Sequence, residues 1–224
     1  MRCDSMIKND YMKEIENTLT LTNEEVRKDI VKGDIGEAKE KINKKLKALV
    51  GIDIGTIDIF SFSSIESFIG KETHYNAEKF IAFGSLMKLQ GLISDKENNE
   101  SAKIQYYEKS LEGFYKAYIE DDEINEKYLY EATEVADELI NYELSLDLDK
   151  KIFRIYELTN RFDRAEDTLF YILRKTDNDG SIILEGIKFY NRLKEKDYDE
   201  LAEGNLPIEE VKDGILELER RLGL

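Results

Sequence analysis

The sequence predicts an all-α fold, and three observations carry that prediction. Apolar residues recur at three- and four-residue steps through most of the chain. A single proline leaves long segments uninterrupted, and the Gly, Asn and Asp clusters fall between those segments. With 41% hydrophobic residues among 224, the chain has the material for a core, and one all-helical domain over 1–224 is expected.

Taken in order, a loosely packed helix is expected over 5–21 and another over 23–32, because Thr22 and Glu25 have capping-box spacing. A helix over 35–50 follows. Residues 50–62 are rich in isoleucine and hold Gly51 and Gly55. No partner strand follows, so they read as a loop with a short helical turn. Ser63 and Glu66 repeat the capping spacing ahead of a helix over 64–69, and a long helix spans 75–95. Over 100–120 the stripe is Ala102, Tyr106, Tyr107, Ser110, Leu111, Phe114 and Tyr118. Over 125–141 it is Leu129, Ala132, Val135, Ala136 and Leu139. Asp147 can cap a helix over 148–159 bearing Ile152, Ile155 and Tyr156. Phe162, Ala165, Leu169, Ile172 and Leu173 mark 162–176, and a further helix spans 181–195. Pro207 suits the first turn of the last helix, 207–222, and Gly223 suits its end.

Composition removes whole classes of function. With 33 basic and 49 acidic residues the net charge is −16, and nucleic-acid binding is excluded because phosphate recognition needs a basic face. One cysteine, Cys3, excludes a disulfide framework and a cysteine-ligated metal site within one chain. One histidine, His74, in a polar linker, excludes paired-histidine metal chemistry and is assigned no role. No stretch approaches 18 apolar residues and no basic-then-apolar leader opens the chain. The expectation is a soluble cytoplasmic protein that engages no membrane and needs no cofactor.

Three loci share a local grammar. Gly33 is followed by Ala38 and Ile42, and Asn160 by Ala165 and Leu169, at the same offsets; Gly91 with Tyr107 and Ser110 follows less cleanly. A left-handed turn residue closes one helix, a small alanine lets the next approach it, and a large residue fills the space beyond. This grammar resembles the tetratricopeptide repeat, whose turn and second helix match Tyr156, Asn160, Phe162, Ala165 and Leu169. Lys103 stands where that repeat would place a small residue. Ala38 and Ala165 lie 127 positions apart, no multiple of the repeat's length, so the units near 23–50, 75–120 and 147–176 are degenerate. The chain from about Tyr11 also resembles an uncharacterised bacterial family of all-helical, tetratricopeptide-like proteins, a domain of unknown function. The residues concerned are 47–53, 160–173, 185–190, 204–207 and 209–211. The resemblance implies irregular helical hairpins stacked into a superhelix, and no activity. Its inward-facing positions carry over to Arg27, to Lys88 and Leu92, and to Lys150, Arg154 and Glu157. These would offer a partner an anion-attracting patch.

Other motifs point to chemistry. Val50–Thr56 resembles the first phosphate loop of actin-like ATPases and sugar kinases. That fold needs a strand hairpin, a second phosphate loop and more chain, so Asp53 reads instead as a cap. Asp177-Asn178-Asp179-Gly180 resembles the centre of an EF-hand loop. Taking Gly180 as its sixth position puts Lys175 first and Gly186 twelfth, so both anchoring carboxylates are missing and a capped turn is expected. Glu131, Glu134, Asp137 and Glu138 are similar to the magnesium-binding helix of all-α nucleotide pyrophosphatases. A metal site there would need a second acidic helix, through Glu108 or Glu112. Among 49 acidic residues a solvated face is the preferred reading. Of 13 tyrosines, ten lie between Tyr106 and Tyr190, most of them expected in the core.

The function expected is therefore a non-catalytic protein-interaction module or adaptor of tetratricopeptide-like type, holding a protein or peptide. The alternative is a magnesium-dependent nucleotide hydrolase built on the 131–138 helix. A third reading is a structural homodimer burying Met6, Ile7 and Tyr11 against a second copy.

Overall fold

Arg2–Lys32 forms one uninterrupted helix, α1, in the computed structural model of the chain. Residues 2–70 and 76–223 are described, with side chains from Tyr11 onward. The side chains of Cys3, Met6 and Ile7, and the whole of His74, lie outside the described residues. The break expected at Thr22 is absent. Its hydroxyl donates to the Thr18 carbonyl at 2.7 Å, and the residue sits in a buried stripe with Ile15, Leu19 and Val26. A continuous apolar face outweighs a local capping signal.

The other helices are α2 (Ile35–Leu49), α3 (Ile54–Ile59), α4 (Phe62–Ile69), α5 (Asn76–Lys96), α6 (Glu100–Glu120) and α7 (Glu126–Leu139). They are followed by α8 (Leu146–Leu158), α9 (Phe162–Lys175), α10 (Gly180–Leu193), α11 (Tyr198–Glu203) and α12 (Ile208–Leu222). The described residues contain no strand, and none of their helices is long and apolar enough to cross a membrane. Residues 50–62 hold more helix than expected: Asp53 starts α3 by accepting from the Thr56 amide, and α4 begins at Phe62. Ser145, not Asp147, caps α8; Asp147 lies in the first turn and pairs with Lys151 at 2.7 Å. At the EF-hand-like stretch, Asp177 and Asn178 take positive φ and Asp179 caps α10, which makes it a turn.

The chain divides into two units, 1–139 and 140–224. In the first, α5 is buried nearly all round, from Phe80, Ile81, Phe83 and Leu86 to Ile93. A helix apolar on every side belongs at a centre, and α1, α2, α4 and α6 pack on it. The α5–α6 contact is the most intimate, with Gly84 and Gly113 face to face. A β-carbon on Gly113 would stand 3.1 Å from the Gly84 nitrogen and 2.8 Å from the Phe83 ring. Ser110 Oγ donates across this seam to the Gly84 carbonyl at 2.7 Å. In the second unit α8 and α9 form a hairpin through Asn160 (φ 55°), with Tyr156, Phe162, Ala165 and Leu169 buried. α10 packs against α9 and α12, and Gly223 (φ 76°) closes α12.

The shared turn grammar holds at two of its three loci. Gly33 (φ 85°) ends α1 and Asn160 ends α8, with Ala38 and Ala165 fully buried behind them. Gly91 instead lies inside α5, and the turn to α6 comes at Asn98 (φ 56°).

Candidate functional site

Two places in the first unit and one ion cluster in the second gather the residues of interest. The first is a cavity of about 320 Å³ walled by α1, α5 and α7. From α1 come Glu16, Leu19, Thr20, Asn23 and Arg27, at helical spacing along one face. From α5 come Ser85, Lys88 and Leu89, and from α7 Lys127, Tyr128, Glu131 and Glu134. The sequence assigned Arg27 and Lys88 to a partner and Glu131 and Glu134 to a metal. The fold brings all four to one wall system.

The charges of this cavity are largely paired. Lys88 Nζ lies 2.5 Å from Glu134 and 3.6 Å from Glu131, and Lys127 Nζ lies 2.9 Å from Glu16. Among the described residues no carboxylate pairs with Arg27; its Nε donates to Asn23 Oδ1 at 2.7 Å. Three cations face three carboxylates, so the cavity is formally neutral in a chain of net charge −16.

Two hydroxyls at its walls are different. Ser85 is 7% exposed and Tyr128 1% exposed, and among the described residues neither Oγ nor Oη has a hydrogen-bond partner. Leaving such a group buried and unpaired costs about 1–3 kcal/mol, so each calls for a reason. Burial first, then the nearby charges of Glu16 and Glu131, push the Tyr128 phenol well above its ordinary value, so it keeps its proton and remains a donor. Its ring is fixed by stacking on Phe114, with centroids 6.5 Å apart, and by Lys127 4.8 Å above it.

The remaining acidic positions of α7 are placed apart from that cavity's lining. Glu138 pairs with Lys103 at 2.9 Å, and Lys103 also reaches Asp95 at 3.1 Å. Asp137 is exposed. Lys103, the misfit in the repeat pattern, thus takes a charge-bridging place, its ammonium held above its ordinary value chiefly by the bond to Glu138. Glu108 is half-buried and its carboxyl is pushed up by burial and by Glu112. Among the described residues no three His, Cys, Asp or Glu side chains gather so as to hold a metal ion.

The second place is an apolar groove of about 310 Å³ along α3 and α4, lined by Ile52, Phe60, Ile65 and Phe68 among others. Beside it Ile59 is 78% exposed, Phe60 48% and Phe68 44%. The short helices are tied down from α6. Lys109 Nζ donates to the Ile57 carbonyl at 2.5 Å, Tyr106 Oη donates to Asp58 at 2.7 Å, and Lys116 pairs with Glu66 at 2.9 Å. Phe62 turns inward to Phe83, with ring centroids 5.9 Å apart.

In the second unit, Glu157 is buried and accepts from Arg154 at 2.6 Å and from Arg192 at 2.6 and 2.9 Å. Lys150 is exposed; in the first unit Leu92 is half-buried on α5 and Tyr11 half-buried on α1. The sequence reading missed Ser85, Tyr128, Glu16 and Lys127, and also the aromatic groove. A serine within the otherwise apolar 80–87 run was the one available signal for the cavity.

Residues 130–223 match the model of a family of unknown function (DUF6483). The segments 160–173, 185–190, 204–207 and 209–211 fall within that match, while 47–53 falls outside it. No curated protein and no solved structure matches the chain.

Proposed function

We propose that the protein is a non-catalytic interaction module built of tetratricopeptide-like helical hairpins, and that the α3–α4 groove seats an apolar anchor of a partner protein. The observation that carries this reading is the exposure of Phe60 and Phe68, which both line one apolar groove, with the exposed Ile59 next to Phe60 in the chain. Exposed large apolar side chains scattered singly are ordinary; a contiguous set rimming a concavity marks a binding surface. The chain carries −16 overall. The partner segment is therefore one in which basic residues flank the apolar anchor.

Arg27 and Lys88, offered by the repeat pattern as partner contacts, belong to the polar cavity, and Arg154 is engaged by Glu157. This favours the groove over the basic set as the partner's seat. The nucleotide-hydrolase alternative has less support, because lysines stand among the carboxylates it needs: Lys88 between Glu131 and Glu134, and Lys103 on Glu138.

The test is a pull-down from native lysate with tagged full-length chain, wild type beside the Phe60→Ser/Phe68→Ser double variant. Both side chains are exposed enough for the variant to keep its helical circular dichroism and unfolding midpoint. A protein captured by wild type and lost by the folded variant supports the reading. Equal capture by both overturns the groove as its seat.

A further inference from the structure

We infer that the anchor taken by the α3–α4 groove is a phenylalanine side chain. This deepens the partner-groove reading and rests on it: that reading names the seat, and the inference names the side chain that fits it.

The lining sets the polarity of what enters. Among the described residues no charged side chain lines the groove. Its polar side chains are the hydroxyls of Thr56, Ser64 and Ser67, and the rest of the wall is isoleucine and phenylalanine. Each hydroxyl is already engaged within the chain. Thr56 Oγ1 donates to Asp53 Oδ1 at 2.9 Å, Ser67 Oγ donates to the Ser63 carbonyl at 2.9 Å, and Ser64 Oγ lies 3.2 Å from Ser61 Oγ. The carboxylates next to lining residues in the chain are engaged too, Asp53 with Lys47 at 3.4 Å and Glu66 with Lys116 at 2.9 Å. A neutral wall with its side-chain polar groups satisfied complements a neutral hydrocarbon. A charge, an amide or a phenol would give up its water for oxygens that are already bonded.

The rings of the wall then choose among hydrocarbons. Phe60 and Phe68 are both exposed and both line the groove. Their exposed ring surface can meet a third ring edge-to-face or offset. Such pairs gain more than the area they bury, and an aliphatic side chain has no equivalent geometry. Volume agrees: about 310 Å³ is space for about ten waters at ~30 Å³ each, enough to take a ring whole.

The test follows backbone amide shifts of the full chain by nuclear magnetic resonance during titration with acetyl-Lys-Ala-X-Ala-Lys-amide, where X is Phe, Leu, Tyr or Ala. The basic flanks suit a chain of net charge −16, and being common to all four peptides they cancel from the comparison. The expected result is saturable movement of the Thr56, Ser64 and Ser67 amides with the Phe peptide and none with Ala. Leu should bind a few-fold more weakly than Phe. Tyr should be weaker by about tenfold, within the limit of about 10² by which an apolar pocket rejects an added hydroxyl. Phe68→Leu keeps an apolar wall and removes one ring, so it should bring the Phe and Leu peptides closer in affinity, with an unchanged melting temperature as the check on folding. No saturable movement with the Phe peptide up to about 10 mM, beyond the affinity worth about 4 kcal/mol, would overturn the inference. So would a Tyr or Leu peptide binding as tightly as Phe, or a Phe68→Leu protein that keeps the whole preference. The two failures are separable. Equal capture by wild type and the Phe60→Ser/Phe68→Ser variant overturns the groove as the partner's seat, whatever the titrations give. Equal binding of the Phe and Tyr peptides overturns the inference and leaves a captured partner in place.

Discussion

The ring of Tyr107 fills the space that Gly91 leaves by having no side chain: a β-carbon on Gly91 would stand 2.3 Å from Cε1 of that ring. Tyr107 is 4% exposed, and its phenol is pushed up to about 12, chiefly by burial. The α5–α6 pair is therefore closed near its turn by this ring in a glycine notch and at mid-length by Gly84 against Gly113.

Gly91→Ala should destabilise the first unit, because a buried ring on a packed helix has nowhere nearby to move. Overpacking of this kind costs about 1–3 kcal/mol, against about 1 kcal/mol gained in helix propensity. Gly36→Ala is the control. It lies in α2 with nothing within 4 Å of the added carbon, and should stabilise by up to about 1 kcal/mol. Urea unfolding of the two variants reads the difference. A stable Gly91→Ala protein would show that Tyr107 has a second place to go.

The pairing of Gly91 with Tyr107 was visible in the sequence as spacing, but its meaning was not. Helix periodicity located the buried faces of α7 and α9 almost residue by residue, because an amphipathic stripe is a local property, while on α6 Ala102, Tyr106 and Tyr118 of the expected stripe are only half-buried. It could not mark where α5 yields to a neighbour's ring, since a helix buried on all sides has no stripe. The long α1 was hidden for the opposite reason: a sound capping signal at Thr22 lost to a tertiary face that runs through it. The polar cavity depends on residues more than 100 positions apart, Glu16 with Lys127 and Tyr128, and no periodicity reports such a meeting. Phe60 and Phe68 were legible as apolar residues and not as exposed ones.

Asp53 decides between a phosphate loop and a helix cap. Its Oδ1 accepts from the Thr56 amide and from the Thr56 hydroxyl, each at 2.9 Å, and those bonds hold its carboxyl below the usual range. Asp53→Ala should destabilise the chain and loosen α3, whereas Asp53→Asn, which can still accept, should cost much less. Hydrogen exchange at the Thr56 and Ile57 amides is the direct measurement. Faster exchange in the alanine variant alone is the expected pattern.

Arg154 is a poor place for a binding test and a good one for a stability test. Arg154→Glu would set a second carboxylate against Glu157, which is buried and already held by Arg192. The expected loss is about 1–3 kcal/mol, as for a buried polar group deprived of a partner. Lys150→Glu, at an exposed position, should change stability by less than about 0.5 kcal/mol. Thermal unfolding separates the two, and equal midpoints would mean that Arg192 alone satisfies Glu157.

Glu166 should make the second unit more stable on mild acidification. Burial, above all, raises its carboxyl over the ordinary 4.5, with Glu210, Asp167 and Asp163 adding to the rise and the hydrogen bond from Tyr190, at 2.6 Å, opposing it. A carboxyl that holds its proton more tightly folded than unfolded favours the folded chain below its unfolded value. That advantage is lost as pH rises through the folded one. Falling from neutral toward 4.5 should therefore recover stability at this site. The caps work in the other direction. Asp53, Asp179 and Glu200 are all lowered by the bonds they accept, so their contribution is full above the ordinary values and lost only as pH falls through the lowered ones. Urea midpoints should rise from neutral toward about pH 5 and fall below about pH 4. Glu166→Gln keeps an acceptor for Tyr190 and removes the titration, so it should flatten the rise and leave the fall. Because relief of the chain's −16 self-repulsion acts equally on both proteins, the difference between their midpoints isolates Glu166. A rise of the same size in the variant would assign it to the net charge and to Glu108, whose carboxyl is also raised by burial.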